Sequence, residues 1–210
     1  MNQHYFIAGT AAGVGKSYVI NALLRSFQEA GVKAAGFKPI TCGDRSEVRQ
    51  MREAMQEPTL SLELLNPVYL RAATDPLMAA DLERKSIDIE TIHRSWVELS
   101  SAYQVVLTEG VYGWLTPIAP GLTMADVAKK MGSPVILVAD NTRGAAGQVA
   151  LTHQAIQNAG LKCAGVILNH ASAEWDTAAV TNADLIERTT GLPILASLIQ
   201  GDELDCSCLD

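Results

Sequence analysis

Short apolar runs that stop at glycine, proline or a charged residue recur along the chain, and amphipathic stretches separate the later ones. Tyr5-Phe6-Ile7-Ala8 is apolar without a break up to Gly9 and reads as a buried strand. The small-residue stretch Thr10-Ala11-Ala12-Gly13-Val14-Gly15 follows. From Lys16 the period changes, with Val19, Ile20, Leu23, Leu24 and Phe27 at helical spacing. Gly31 ends that helix, as suits a residue that accepts the left-handed cap conformation. Residues 33–38 read as a second strand, stopped by Pro39. Strand-like runs return at 104–108, 134–139, 163–168 and 193–198, with helical patterns at about 124–131, 145–158 and 176–189. Alternating strands and helices with short links predict an α/β fold: a doubly wound, mostly parallel sheet with helices on both faces.

Residues 44–102 break this alternation. They are polar and mostly helical in pattern, with no clear strand, and read as an insertion that shapes a substrate site. No repeat, low-complexity segment or linker interrupts the 210 residues, which suit one domain. Aromatic residues make up only 5%, so the core rests on Ala, Val, Ile and Leu, the usual lining of a buried parallel sheet.

Charge and cysteine content narrow the function. A formal net charge of −7 without a basic run argues against nucleic acid as a partner. No apolar segment reaches the roughly 20 residues needed to cross a bilayer, so no membrane role is expected. Cys42, Cys163, Cys206 and Cys208 form no regular framework. With no secretory signal visible, they point to free thiols in the cytoplasm. Cys206 and Cys208, read as part of a tail, lack partner ligands for a metal and read as incidental.

The most informative segment is Gly9 to Ser17. A glycine-rich loop between strand and helix lets several backbone N–H groups converge on one phosphate, and the helix start adds its positive end. Gly13, Val14, Gly15, Lys16 and Ser17 are the expected nucleotide contacts. Lys16 supplies a mobile charge for the β- and γ-phosphates, and Ser17 a hydroxyl for Mg²⁺. Five residues separate Gly9 from Gly15 where the common pattern has four, so this is a variant phosphate loop. The fold expectation sharpens accordingly to a three-layer αβα, P-loop NTPase-like domain.

Ligands in open α/β sheets bind beyond the carboxyl ends of the strands, and three other ends carry suitable groups. Lys38 follows the second strand and is expected to stabilise charge during phosphoryl transfer. Glu109 follows the third and is placed as a Mg²⁺ ligand. Asn169 ends a later strand and offers an amide to a nucleotide base. The guanine-reading Asn/Thr-Lys-x-Asp signature is absent, which favours ATP. Arg143 is a phosphate or substrate contact or a helix cap, and the sequence leaves both open. His170 alone reads as structural.

In this order, Gly9-Thr10…Val14-Gly15-Lys16-Ser17, Gly36-Phe37-Lys38-Pro39-Ile40, Glu109-Gly110…Gly113-Trp114-Leu115-Thr116-Pro117 and Ala164-Gly165-Val166-Ile167-Leu168-Asn169 resemble the dethiobiotin synthetase family. The resemblance covers the chain to about Leu198, and residues 109–117 are its most specific part. It implies an ATP-dependent ligase that closes a ureido ring from 7,8-diaminopelargonate and CO₂ through a phosphorylated carbamate, in biotin biosynthesis. It also implies a homodimer, with Ser17 and Glu109 on Mg²⁺ and Asn169 on adenine. Cys42 stands where the family has a substrate-contacting Ser, and Glu47 where it has a metal-binding Asp. Val111-Tyr112 replaces a small Ala-Gly pair, which puts Tyr112 on the substrate side. Two other functions fit the same motifs: action on another carboxylate, as in cobyrinate amidation, and a non-catalytic nucleotide-sensing module.

Overall fold

Strand β1 (Gln3–Gly9) is apolar along its inner residues and lies between two neighbours in the middle of a sheet, which is why its Phe6, Ile7 and Ala8 are buried on both faces. The structure, a computed structural model, describes residues 3–170, 177–199 and 201–209. After β1, the chain enters helix α1 (Lys16–Glu29), which ends where Gly31 takes a φ of 71°. Strand β2 (Ala34–Phe37) follows, then a short β3 (Ile40–Cys42) beyond the Lys38-Pro39 step.

The next segment holds α2 (Ser46–Ala54), α3 (Leu62–Leu65), β4 (Val68–Leu70), α4 (Pro76–Glu83) and α5 (Ile89–Ala102). It is mainly helical, as its pattern predicts. The expectation of no strand is corrected: β4 pairs in parallel with β3, Ile40 opposite Val68 and Cys42 opposite Leu70. Three residues are too few to print a period on the sequence.

Strand β5 (Val105–Gly113) is longer than its apolar run. Glu109 does not follow the strand, as expected; it sits inside it, opposite Ile7 of β1. A two-stranded hairpin of β6 (Pro117–Ala119) and β7 (Leu122–Thr123) comes next, absent from the sequence reading for the same shortness. Helix α6 (Met124–Met131) opens with the Asp126 carboxylate accepting the Thr123 N–H at 2.7 Å and closes at left-handed Gly132. Then come β8 (Val135–Asp140), α7 (Ala145–Asn158), β9 (Cys163–His170), α8 (Thr177–Thr190) and β10 (Ile194–Ile199). These lie within a residue or two of the expected spans; Asp176, the expected start of the last helix, is outside the described residues.

Strands β10, β9, β8, β1, β5 and β2 form one sheet in that order, and every pair is parallel. Helices pack around it, as the alternation predicts. From β1 the chain steps two places to one edge, fills the gap with β5, and then builds outward on the other side from β8. The order therefore reverses around β1, and the phosphate loop leaves at that switch point.

The C-terminal segment is not a loose tail. Residues 206–209 form a 3₁₀ turn with Leu204 and Leu209 buried. Tyr5 donates its hydroxyl to the Leu209 carbonyl at 3.1 Å, and the Cys206 N–H reaches Ser26 Oγ at 2.9 Å. Packing on α1 and β1 overrides the polar character that made the segment look exposed.

Candidate active site

Two glycines fix the loop between β1 and α1. A Cβ on Gly9 would lie 2.7 Å from the Ala11 carbonyl oxygen and 2.9 Å from Lys16 Nζ. Gly15 caps α1 with a φ of 93°, and a Cβ there would lie 2.1 Å from Asn169 Nδ2. No side chain caps the helix, so the start of α1 keeps its positive end for a ligand. Lys16 arches back over the loop to within 3.4 Å of the Ala11 carbonyl. Burial pulls its ammonium below the ordinary value, a pull that nearby Glu109 resists.

A second cation lies beside it. Lys38 is 4% exposed and donates to Glu109 Oε1 at 2.7 Å and to Glu47 Oε2. Burial works against its charge, but Glu109 and Glu47 outweigh burial and hold its pKa above the ordinary value. Glu47 is likewise opposed by burial, yet Lys38 and Ser17 bring its carboxyl below the ordinary value. Ser17 Oγ donates to Glu109 Oε1 at 2.7 Å. Glu109 itself is 2% exposed, and its Oε2 is buried with no hydrogen-bond partner.

That orphaned oxygen tests whether a divalent metal suits the site. A buried carboxylate oxygen without a partner costs free energy until a donor or cation reaches it. The groups at hand (Ser17 Oγ and the carboxylates of Glu109 and Glu47) are hard oxygens. Mg²⁺ takes one or two carboxylates and completes its shell with phosphate oxygens and water, so these residues fit it. No cluster of three or more His, Cys, Asp or Glu side chains able to hold a metal occurs among the described residues, which this sparse demand does not require.

Loop, acids and lysines line one cavity of about 310 Å³. Its lining also includes Thr41, Cys42, Val111 and Tyr112, so the cavity brings together the expected phosphate, metal and substrate positions except Val14 and Asn169. The Cys42 thiol is pushed up to about 11, first by burial and then by the negative charges of Asp75 and Glu83. Tyr112 has a φ of 50° and lays its hydroxyl 3.4 Å from the Thr74 carbonyl, tying the end of β5 to the approach to α4. Burial, then Cys42 and Asp75, raises its phenol above the ordinary value. Thr41 escaped the sequence reading. Its hydroxyl is buried, lines the cavity and has no partner; the only available signal was its place between Pro39 and Cys42.

Asn169 stands behind the loop, 6% exposed, with Nδ2 donating to the Val14 carbonyl at 3.1 Å. It therefore braces the phosphate loop in this structure. His170 is buried with Nδ1 3.1 Å from the Asn141 carbonyl oxygen. Arg143 lies in the β8–α7 turn, away from the cavity lining.

A second network fixes the acid–lysine cluster from behind. Arg45, just before α2, donates Nε to Asn66 Oδ1 at 2.9 Å and stacks over Tyr69. Asn66 is fully buried, and its Nδ2 donates to the Lys38 carbonyl at 2.7 Å. The segment that delivers Glu47 is thus locked to the segment that delivers Lys38. Neither Arg45 nor Asn66 stands out in the sequence as part of the site.

Comparison with known proteins places this geometry in context. Residues 3–206 match the family described as an AAA domain. The chain is 44% identical over 201 residues to an ATP-dependent dethiobiotin synthetase BioD of Akkermansia muciniphila, covering 96% of this chain and 94% of that protein. It is 34% identical over 221 residues to the enzyme of the same name from Thermodesulfovibrio yellowstonii, covering 98% and 92%. Among solved structures, the signal recognition particle receptor FtsY of Elizabethkingia anophelis superposes with a TM-score of 0.59 at 18% identity, over 98% of this chain and 61% of that one. The chain thus spans about three-fifths of that receptor, and the likeness concerns the fold alone.

Proposed function

The chain belongs to the family of the ATP-dependent dethiobiotin synthetases, and from that membership and the cavity we propose that it closes the ureido ring of dethiobiotin from 7,8-diaminopelargonate, CO₂ and ATP. The observation that carries this is the meeting of Lys16, Ser17, Lys38, Glu47 and Glu109 around one cavity of about 310 Å³ at the mouth of the phosphate loop.

The chemistry joins two anions. One amine nitrogen attacks CO₂ and, after losing a proton, carries a carbamate. A carbamate oxygen then attacks the γ-phosphorus and ADP leaves. The second amine attacks the carbamoyl carbon, and phosphate departs with its bonding pair. Carbamate and γ-phosphate repel, so a site that brings them together must supply cations on both sides. Lys16, at the loop, is assigned to the β- and γ-phosphates. Lys38, between the loop and the Cys42 wall, is assigned to the junction of γ-phosphate and carbamate. Gly13, Val14 and Gly15 offer backbone N–H groups, and Asn169 is assigned to the adenine side. Ser17, Glu109 and Glu47 would hold Mg²⁺, which neutralises phosphate charge when bound. Cys42 and Tyr112 are assigned to the diamine; of the 44–102 insertion, Glu47 lines the cavity.

Homodimer formation and a cytoplasmic location belong to the same proposal. Exposed Met78 and Leu82, one turn apart on α4, and exposed Leu115 after β5 supply apolar surface for association. The test is phosphate release by the purified protein. It should require bicarbonate and diaminopelargonate together, and Lys16→Ala should abolish it while leaving the fold intact. Turnover that ignores the diamine would sink the synthetase reading and leave a nucleotide-binding protein of another kind.

A further inference from the structure

The acid pair assigned to the metal is already occupied by a cation of the chain's own. Lys38 Nζ bridges Glu109 Oε1, at 2.7 Å, and Glu47 Oε2. Both carboxylates thereby share one ammonium that is itself almost wholly buried. Ser17 Oγ donates to the same Glu109 oxygen, and its lone pairs stay open to a metal. Glu109 Oε2 is left without a hydrogen-bond partner.

The Lys38 backbone is pinned independently of its ammonium. The Lys38 N–H donates to the Leu65 carbonyl at 2.8 Å, and the Lys38 carbonyl accepts from Asn66 Nδ2. Rotation of the four-carbon side chain is therefore the motion available, with no backbone change. An ammonium and a divalent ion cannot share the space between two carboxylates, because they repel at contact distance. Incoming phosphates change this by offering the ammonium a new and more highly charged anion.

We propose that Lys38 is a built-in stand-in cation: it holds the Glu47–Glu109 pair in the nucleotide-free protein, excludes free divalent metal, and hands the site over when metal arrives with nucleotide. This rests on reading the cavity as a metal–nucleotide site. Binding is then ordered. Metal and nucleotide enter together, and the same lysine that guarded the acids is delivered to the phosphates.

The probe is Mn²⁺, followed by the loss of its free electron paramagnetic resonance signal in titrations of the full chain. Wild type should take up no Mn²⁺ alone at millimolar metal and should take up about one equivalent once ADP is added. Lys38→Met keeps the stem length and removes the charge. It should bind Mn²⁺ without nucleotide at least about tenfold more tightly than wild type, the low end for removing a unit charge beside a cation. Mn²⁺ alone should also raise the melting temperature of Lys38→Met and not that of wild type. Lys38→Gln gives a second, polar variant should the first fold poorly, with the same expected gain. Wild type that binds Mn²⁺ alone as tightly as the variants overturns the stand-in role, and so do folded variants with no gain. If wild type takes up no Mn²⁺ even with ADP, the metal–nucleotide reading fails instead, and the stand-in role falls with it.

Discussion

Gly15→Ala should damage the protein far more than Gly13→Ala, though both positions are left-handed glycines of the same loop. Gly15 has a φ of 93° and Gly13 a φ of 75°. A side chain in that region costs roughly 1–2 kcal/mol at either site. The surroundings differ. Nothing lies within 4 Å of a Cβ at Gly13, whereas one at Gly15 would sit 2.1 Å from Asn169 Nδ2. Asn169 is buried and cannot keep its 3.1 Å bond to the Val14 carbonyl while yielding that space. A buried amide left unsatisfied adds about 1–3 kcal/mol. Gly15→Ala should then lose roughly 2–5 kcal/mol, against roughly 1–2 for Gly13→Ala. Urea unfolding followed by circular dichroism reads both. The double variant Gly15→Ala/Asn169→Ala removes the obstructing amide, so its loss should fall below the sum of the singles by about 1 kcal/mol or more. Equal losses for the two glycine variants, or strict additivity in the double, would refute the claim that Asn169 braces the loop.

Two further outcomes follow from charge. Because Glu47 titrates below the ordinary carboxylate value, its pairing with Lys38 stabilises the protein above about pH 4.3, the unfolded value, and that contribution is lost as pH falls through the folded one. Urea midpoints at pH 7 and pH 3 should therefore differ less in Glu47→Gln than in wild type, and an unchanged difference would contradict the pairing. Cys42 and Cys163 are both pushed up to about 11 by burial, two units above the ordinary thiol. At pH 8 each should carry about 100-fold less thiolate than an unhindered cysteine and alkylate correspondingly slowly. Peptide mass spectrometry after iodoacetamide treatment checks this; rapid labelling of Cys42 would show its cavity wall to be open.

What the sequence revealed depended on whether a feature was written in consecutive residues. β1, β8, β9 and β10 are apolar runs bounded by Gly, Pro or a polar residue, and α6 and α7 carry a helical period, so their spans were legible. β3, β4 and the β6–β7 hairpin are two or three residues long, and their existence depends on pairing across chain segments. β5 was cut short because Glu109 and Gly110 interrupt its apolar run, yet its register against β1 continues through Glu109. The C-terminal turn looked like tail because its anchors, Tyr5 and Ser26, lie some 200 and 180 positions away.

The same distinction divides the site. Lys16, Ser17, Lys38 and Glu109 announce themselves where apolar runs give way to charged or polar residues, on the side of the sheet where the fold presents them to a ligand. Their mutual arrangement is not local and could not be read. A site for a polyanion suggests a net cationic pocket. The cavity is instead balanced, its charged lining being Lys16 and Lys38 against Glu47 and Glu109. Attraction for a polyanion therefore cannot come from the side chains' sum. It has to come from the directed N–H groups of the loop, the start of α1 and whatever cation the nucleotide brings. A neutral resting cavity also costs less to bury than one holding two unpaired lysines, since Lys38 is paired with both acids and the charges of the lining cancel. The lysine–acid bridge is thus the form in which an anion-binding site can be stable while empty.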